Sequence, residues 1–436
     1  MSDLGKELKK KIEAKSLRIC VVGLGYVGFP LALEFARKSV SVTGIEIDKD
    51  RLSAIAQRKS YISDISDREL KKILASGYFR ATGSFDAAKS ADVVFICVPT
   101  PLKGKYLPDI SFIKSAVKSV ALHIKKGALV ILESTTYPGT TEEEIEPIFA
   151  GCGFKHGKDF YLAFSPERID PGNKKYPVHK IPKVVGGLNP EATKLTSLVY
   201  GLIIKKIVPV SSARTAEAVK LLENTFRLIN IGLIDELAMM AHKMNIDIWE
   251  VVQAASSKPF GFMPFFPGPG VGGHCIPKDP LYLHWKAKSF GFYSRFIQLA
   301  SDVISRMPEY IVHRIEEALL GSGKRLSGCK ILVVGVTYKK DVKDLRKSPS
   351  IDVIASLRKH GAFVFYSDPL IPFLKIKDIN LKSVVLKESN IKKFDCLLIA
   401  TDHTGLDYGY LRRHAKLIFD SRNVYKGQNK EKVVRL

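Results

Sequence analysis

Cysteine is sparse and unpaired in this chain: six in 436 residues, at Cys20, Cys97, Cys152, Cys275, Cys329 and Cys396, with no CxxC spacing. That argues against a disulfide scaffold and a structural zinc site, so no metal is expected. Long apolar runs are missing too; none reaches the about 18 residues of a membrane span. The opening MSDLGKELKKKIEAKSLRI carries lysines but no apolar core or small-residue cleavage site, so a cytoplasmic location without membrane attachment is expected. Acid is in deficit, 44 Asp and Glu against 68 Lys and Arg, leaving a net charge of +24. Such an excess suits nucleic acid, an anionic surface or an anionic small substrate. The lysines are spread along the chain and no RNA-binding signature or basic helix is present, so a phosphate-bearing substrate is expected rather than nucleic acid.

What is present is an alternating pattern. RICVVGLG, SVTGIEID, ADVVFICVP and ALVILES are short apolar runs separated by amphipathic stretches, the βαβ rhythm of a parallel sheet. Their near-continuous Val and Ile content suits strands buried on both faces. From Ala213 to Met244 the apolar spacing changes to three and four, which predicts one long helix of about 45 Å at about 1.5 Å per residue. GCKILVVGVTYK then starts a second alternation that runs through FVFYSDP and FDCLLIATDH to KLIFDSRN. The expected fold is α/β: two Rossmann-like doubly wound parallel-sheet domains joined by a long central helix. The expected divisions are residues 1–210, 211–325 and 326–436.

ICVVGLGYVGFPLALEFA sets Gly23, Gly25 and Gly28 as GxGxxG between a strand and a helix, where a dinucleotide pyrophosphate meets the helix N-terminus. Glu46 ends the second strand and would bind adenosine ribose hydroxyls; its charge favours NAD over NADP. Asp48 is a second candidate for that role, and Arg51 would lie on the adenine side. Thr100 in CVPTP and Ser134 and Thr135 in ESTTYPGTT lie at strand ends lining the same crevice; helix capping is the alternative role for each threonine.

In EAVKLLENTF, Lys220 and Asn224 stand at i and i+4 and project from one helix face; a solvated polar stripe is the plainer reading of such a pair. FSPERIDPG offers Glu167 and Arg168 in a turn after an apolar strand. GVTYKKDVKDLRKSP lacks a second GxGxxG, so its Lys339 and Arg346 are read as phosphate ligands instead. GPGVGGHCIPKDP surrounds Cys275 with turn residues and charge. A nicotinamide cofactor beside a cysteine permits two oxidations: alcohol to aldehyde, then thiohemiacetal to thioester, which water opens to an acid. Cys275 supplies the thiolate, Lys220 and Asn224 the oxyanion partners, and Glu167 or Asp279 the base.

These blocks, in this order, resemble the UDP-glucose/GDP-mannose dehydrogenase family from about residue 18 to 425. The resemblance implies an N-terminal NAD domain, a central helical dimerisation region and a C-terminal domain holding the nucleotide diphosphate. It also implies oxidation of a sugar C6 alcohol to a carboxylate with Cys275 as nucleophile, and a homodimer or higher homo-oligomer. By position it makes Lys220 the acid/base and oxyanion partner and Asn224 a substrate and oxyanion ligand. Glu167 would assist thioester hydrolysis, with Asp279 and Thr135 ordering the water. Arg168, Ile169, Arg227, Gly272, Tyr338 and Lys339 match substrate contacts; Tyr26, Val27, Glu46, Arg51, Thr100 and Thr135 match NAD contacts, as does Arg346 from the C-terminal side. Members acting on UDP-glucose usually carry Ser before the cysteine and an arginine upstream. Here His274 and KPFGFMPFFPGPG stand there, similar to members acting on UDP-N-acetylglucosamine. UDP-N-acetylmannosamine and then UDP-glucose are the alternative substrates. A single-step β-hydroxyacid dehydrogenase would need no cysteine loop, and a non-catalytic nucleotide-sugar binder would not need Cys275, Lys220, Asn224 and Asp279 together.

Overall fold

The computed structural model describes residues 1–62, 65–104, 107–168, 180–376, 378–426 and 431–436. The chain forms two compact units, Met1–Glu223 with Leu281–Phe292, and Asn224–Pro280 with Tyr293–Leu436. In the first, the strands are Arg18–Val22 (β1), Ser41–Ile45 (β2), Phe79–Thr82 (β3) and Val93–Ile96 (β4), then the paired Leu102–Lys103 and Leu107–Pro108 (β5, β6). Leu129–Leu132 (β7), Tyr161–Phe164 (β8), Lys183–Gly187 (β9) and Ile207–Pro209 (β10) follow. The main sheet has the order β10-β9-β8-β7-β4-β1-β2-β3. It is parallel from β3 to β8, and β9 reverses direction against β8. Chain order departs to opposite sides between β1 and β4, so a crevice opens beyond their carboxyl ends.

Both faces of this sheet are covered, as the unbroken apolar runs predict. Ile19 and Val21 of β1 pack into one core layer with Phe29, Leu33 and Phe95; Cys20 and Val22 pack into the other with Val117, Val130 and Leu162. Each such side chain contributes about 1.5–3 kcal/mol by leaving water. The first core layer also takes in Leu8 and Ile12 of an N-terminal helix, Asp3–Glu13, whose apolar face the lysine-rich sequence hides.

The second unit repeats the design with Lys330–Val334 (β11), Phe363–Ser367 (β12), Cys396–Ile399 (β15), Ile418–Asp420 (β16) and Val433–Arg435 (β17); Phe373–Ile376 and Ile379–Lys382 (β13, β14) form a separate hairpin. Its parallel sheet runs β12-β11-β15-β16-β17, with the change of direction between β11 and β15. Fold class is thus as expected: two Rossmann-like sheets and a long helix, observed over Ala213–Lys243. Gly232 in that helix is explained by packing: a Cβ there would stand 2.9 Å from the Cα of Ala300 on the helix Arg295–Leu320.

Candidate functional site

In the first unit, β1 turns at Gly23 with φ +88°, and a Cβ there would stand 2.7 Å from the Cys97 carbonyl at the end of β4. Gly28 begins the helix Gly28–Arg37, and a Cβ on it would overlap the Gly23 carbonyl. The side of Gly25 meets only Arg51 Nη1, at 3.9 Å, which leaves the backbone approachable. The helix start at Val27 has no side-chain cap, so its first N–H groups suit an anion. Tyr26 beside it is 47% exposed.

Glu46 is buried at the end of β2 and organises this loop. Its carboxylate accepts from the backbone of Leu24 (3.0 Å), Ile47 (2.9 Å) and Asp48 (3.1 Å) and from Arg51 Nη1 (3.1 Å). Arg51 also lies over the Tyr61 ring, whose hydroxyl donates to the Leu24 carbonyl at 2.7 Å. At the other strand ends, Thr100 is buried and its carbonyl accepts from Tyr282. Ser134 Oγ donates to the Val98 carbonyl at 2.8 Å, bracing the ends of β4 and β7, and Thr135 next to it is half-buried.

Glu167 and Arg168 follow β8. Arg168 forms an ion pair with Glu223 at 2.6 Å and donates to the Pro182 carbonyl at 2.6 Å. Glu167 accepts from the Arg168 backbone at 2.6 Å and pairs with Lys183 at 3.3 Å. Ile169 lies outside the described residues. Lys220 is 8% exposed on the long helix. One turn earlier, Glu217 accepts from Gly139 N (2.6 Å), Thr141 N (2.9 Å) and Thr141 Oγ1 (2.6 Å), clamping the ESTTYPGTT loop onto that helix. Burial pushes Glu217 up to about 7, against the pull of those hydrogen bonds.

In the second unit, Asn224 Nδ2 donates to Asp279 Oδ2 at 2.7 Å; both residues are buried. Cys275 is exposed and sits just before the helix Asp279–Lys288. Its carbonyl accepts from Lys278 N (3.0 Å) and Asp279 N (2.8 Å), so the turn is wound onto the helix start. The glycines explain how the loop docks: a Cβ on Gly272 would stand 2.5 Å from Tyr338 Cβ and 2.7 Å from the Lys347 carbonyl. Gly273, with φ +84°, donates to the Arg346 carbonyl at 2.9 Å. His274 is pushed down to about 4, first by desolvation and then by Lys278, Arg346 and Lys347. Lys339 follows Tyr338 in the turn after β11, half-buried, while the Arg346 guanidinium is held by Asp344 at 2.6 Å. Arg227 is exposed.

Each unit therefore gathers its own share of the candidate residues: the glycine loop, Glu46, Thr100 and Glu167 in one, Asn224, Asp279 and the cysteine loop with Tyr338 in the other. The open side of Gly25, the uncapped helix start and the carboxylate beneath the loop fit a dinucleotide. Among the described residues no cluster of three or more His, Cys, Asp or Glu could hold a metal, and no helix is long and apolar enough to cross a membrane. Residue patterns did not single out Glu133, Lys183, Glu217 or Tyr282. A lysine opening an otherwise apolar strand, KVVGG, was the available signal for Lys183. Asp368 was missed as well: its Oδ2 accepts from Val336 N at 2.7 Å after Gly335, the counterpart of Glu46 accepting from Leu24 N.

Three models of the UDP-glucose/GDP-mannose dehydrogenase family match the chain: the NAD binding domain over residues 17–204, the central domain over 214–304 and the UDP binding domain over 332–427. The UDP-N-acetyl-D-glucosamine 6-dehydrogenase of Pseudomonas aeruginosa is 38% identical over 81% of this chain and 83% of its own. The UDP-N-acetyl-D-mannosamine dehydrogenase of Pyrococcus horikoshii is 35% identical over 94% of this chain and 96% of its own. A solved structure of the Pyrococcus horikoshii UDP-D-ManNAc dehydrogenase aligns with a TM-score of 0.87 at 32% identity, covering 96% of this chain and 99% of that one. With an NAD fold at one end, a UDP fold at the other and the cysteine loop between them in sequence, the chain belongs to the UDP-glucose/GDP-mannose dehydrogenase family and is an NAD-dependent nucleotide-sugar dehydrogenase.

Proposed function

We propose that the chain oxidises the C6 alcohol of a UDP-N-acetylhexosamine, UDP-N-acetylglucosamine foremost, to the uronic acid, in the cytoplasm and for polysaccharide precursor synthesis. The observation that carries the two-step reading is the Asn224–Asp279 hydrogen bond of 2.7 Å, which ties the amide of KLLEN to the helix that starts behind Cys275. A dehydrogenase that stopped at the aldehyde would need neither a thiol nor a fixed amide and carboxylate beside it.

NAD supplies the hydride acceptor for each of the two oxidations. The Gly23–Gly28 loop would hold it, with Glu46 at the ribose, and Tyr26, Val27, Arg51, Thr100, Thr135 and Arg346 as further contacts. Lys220 takes the C6 hydroxyl proton as the alcohol becomes an aldehyde. The Cys275 sulfur adds to that aldehyde, giving a thiohemiacetal whose oxyanion Lys220 and Asn224 stabilise. Its oxidation leaves a thioester, and a water assisted by Glu167 and ordered by Asp279 and Thr135 opens it to the carboxylate and the free thiol. The buried Lys220 has no ion-paired carboxylate among the described residues, so the ammonium formed when it takes that proton is available to the transient oxyanion. Arg168, Ile169, Arg227, Gly272, Tyr338 and Lys339 hold the UDP-sugar.

The KPFGFMPFFPGPG run and His274 support the N-acetylglucosamine substrate, as does similarity to the Pseudomonas aeruginosa enzyme. The second reading, UDP-N-acetylmannosamine, draws on the Pyrococcus horikoshii protein and its TM-score of 0.87. Incubation with NAD and each of UDP-glucose, UDP-N-acetylglucosamine, UDP-N-acetylmannosamine and GDP-mannose, reading NADH per sugar consumed, tests both parts. Two NADH per UDP-N-acetylglucosamine is expected; a response to UDP-glucose alone overturns the substrate, and one NADH per sugar overturns the thioester route.

A further inference from the structure

Behind Glu167, side chains from four elements of the first unit meet in a dry cluster. Lys183 opens β9, Glu133 follows β7, Glu167 follows β8, and Tyr200 lies in the helix Pro190–Gly201. Lys183 Nζ stands 3.2 Å from Glu133 Oε1 and 3.3 Å from Glu167 Oε2, with side-chain exposures of 5%, 0% and 16% in that order. The ammonium also lies 4.9 Å above the Tyr200 ring, and the Tyr200 hydroxyl donates to Glu133 Oε1. Glu133 Oε2 is buried with no hydrogen-bond partner, so all of its pairing goes through the other oxygen.

Such an arrangement is expensive. A buried ion pair costs more to desolvate than it returns unless its geometry is good, and an apolar residue at 183 would extend the strand it opens. The cluster holds two carboxylates against one ammonium, a surplus negative charge in a low-dielectric setting. Burial raises Glu133; desolvation pulls Lys183 down, but Glu133 and Glu167 outweigh it and the ammonium is held. The other groups facing the cluster are the Cys97 thiol at the end of β4, raised by burial, the Tyr200 phenol, also raised by burial, and the Arg168–Glu223 ion pair beside the loop. Nothing in sheet packing requires this charge. Of the cluster's members, Glu167 alone is among the residues assigned above to the reaction.

We propose that Lys183 is the positioning residue of Glu167: it fixes the orientation and charge of that carboxylate, and Glu133 with Tyr200 fixes Lys183. This rests on the assignment of Glu167 to thioester hydrolysis. Lys183 touches no reacting atom and acts on a single step, the release of the acid from Cys275. Its loss therefore slows hydrolysis without weakening UDP-sugar binding.

The test follows the Cys275 adduct in the full enzyme by intact mass after rapid quenching, with NAD and the active UDP-sugar. In Lys183→Met the adduct accumulates and decays roughly 10- to 100-fold more slowly, while KM for the UDP-sugar stays within about twofold; Lys183→Arg restores most of the rate. In Glu133→Gln a like charge is removed and Lys183 pairs with Glu167 alone, so the acidic limb of the decay rate moves to lower pH. Adduct decay at the wild-type rate in Lys183→Met, or an unmoved limb in Glu133→Gln, overturns the proposal; if Lys183→Met does not fold, the limb decides alone. Glu167→Gln separates the two layers: if it accumulates no adduct, the assignment of Glu167 fails, whereas accumulation there with none in Lys183→Met sinks only the role of Lys183.

Discussion

Cys275 owes its setting to backbone rather than to bulky neighbours. Its carbonyl takes two N–H groups of the turn that becomes the helix Asp279–Lys288, and Gly272 and Gly273 bring the preceding chain against Tyr338 and Arg346. With no Cβ at these two positions, the chain can lie directly against the Tyr338 side chain. His274, pushed down to about 4, stays neutral at physiological pH and adds no charge beside Cys275. Cys275→Ala is expected to abolish acid formation while leaving NAD binding intact, measured as uronic acid produced and by NAD titration. Unchanged turnover with two NADH per sugar would sink the thioester mechanism. Glu46 shows the same economy: one carboxylate takes three backbone donors and Arg51, and so shapes the glycine loop.

Among the elements, the helix Ala213–Lys243 does more than connect. In the first unit it carries Glu217, which clamps the Gly139–Thr141 turn, and Lys220 follows one turn later. In the second it carries Asp235, which is fully buried and accepts from Gly268 N at 3.1 Å at the entry to the cysteine loop. Burial pushes Asp235 from 3.8 up to about 8, against the hydrogen bond from Gly268 and the attraction of Arg422. The folded protein therefore keeps this proton up to about pH 8, while the unfolded chain releases it near 3.8. The unfolded state binds fewer protons across that window, so Asp235 makes stability fall as pH rises from about 4 to about 8. Asp235→Asn cannot ionise, and the stability of wild type relative to it should fall by up to about 1.4 kcal/mol per pH unit inside the window. Thermal midpoints of both proteins at several pH values check this; parallel curves would contradict the buried protonated carboxyl.

At the scale of the whole molecule, the long helix leaves an apolar stripe at heptad spacing: Phe226, Leu233 and Met240, 45%, 51% and 50% exposed. A side-on helix partner suits that spacing. A homodimer or higher oligomer is the expected state, and Leu233→Lys with Met240→Lys should shift the light-scattering mass to that of one chain. Retention of the wild-type mass would place any subunit interface elsewhere. The net charge of +24 is an attribute of the whole chain, and attraction of a doubly charged diphosphate is its simplest use.

Local periodicity was enough to read the strands at Arg18–Val22, Ser41–Ile45, Val93–Ile96 and Leu129–Leu132, and the helix from Ala213, because side chains buried on both faces or along one stripe leave their spacing in the chain. The glycine loop and the cysteine loop were legible for a similar reason, since their chemistry lies within a dozen consecutive residues. The N-terminal helix was hidden because its apolar positions, Leu8 and Ile12, are diluted by lysines that stay in solvent. Other features were decided by tertiary structure alone: the reversal of β9, the Asn224–Asp279 bond, the burial of Asp235 against Gly268 N and the Glu133–Lys183–Glu167 cluster. Each depends on partners brought together from distant points of the chain, 55 residues apart for Asn224 and Asp279. Burial also gives these groups most of their energy: a carboxylate or ammonium has its ordinary character in sequence, and only the dry interior makes its pairing decisive.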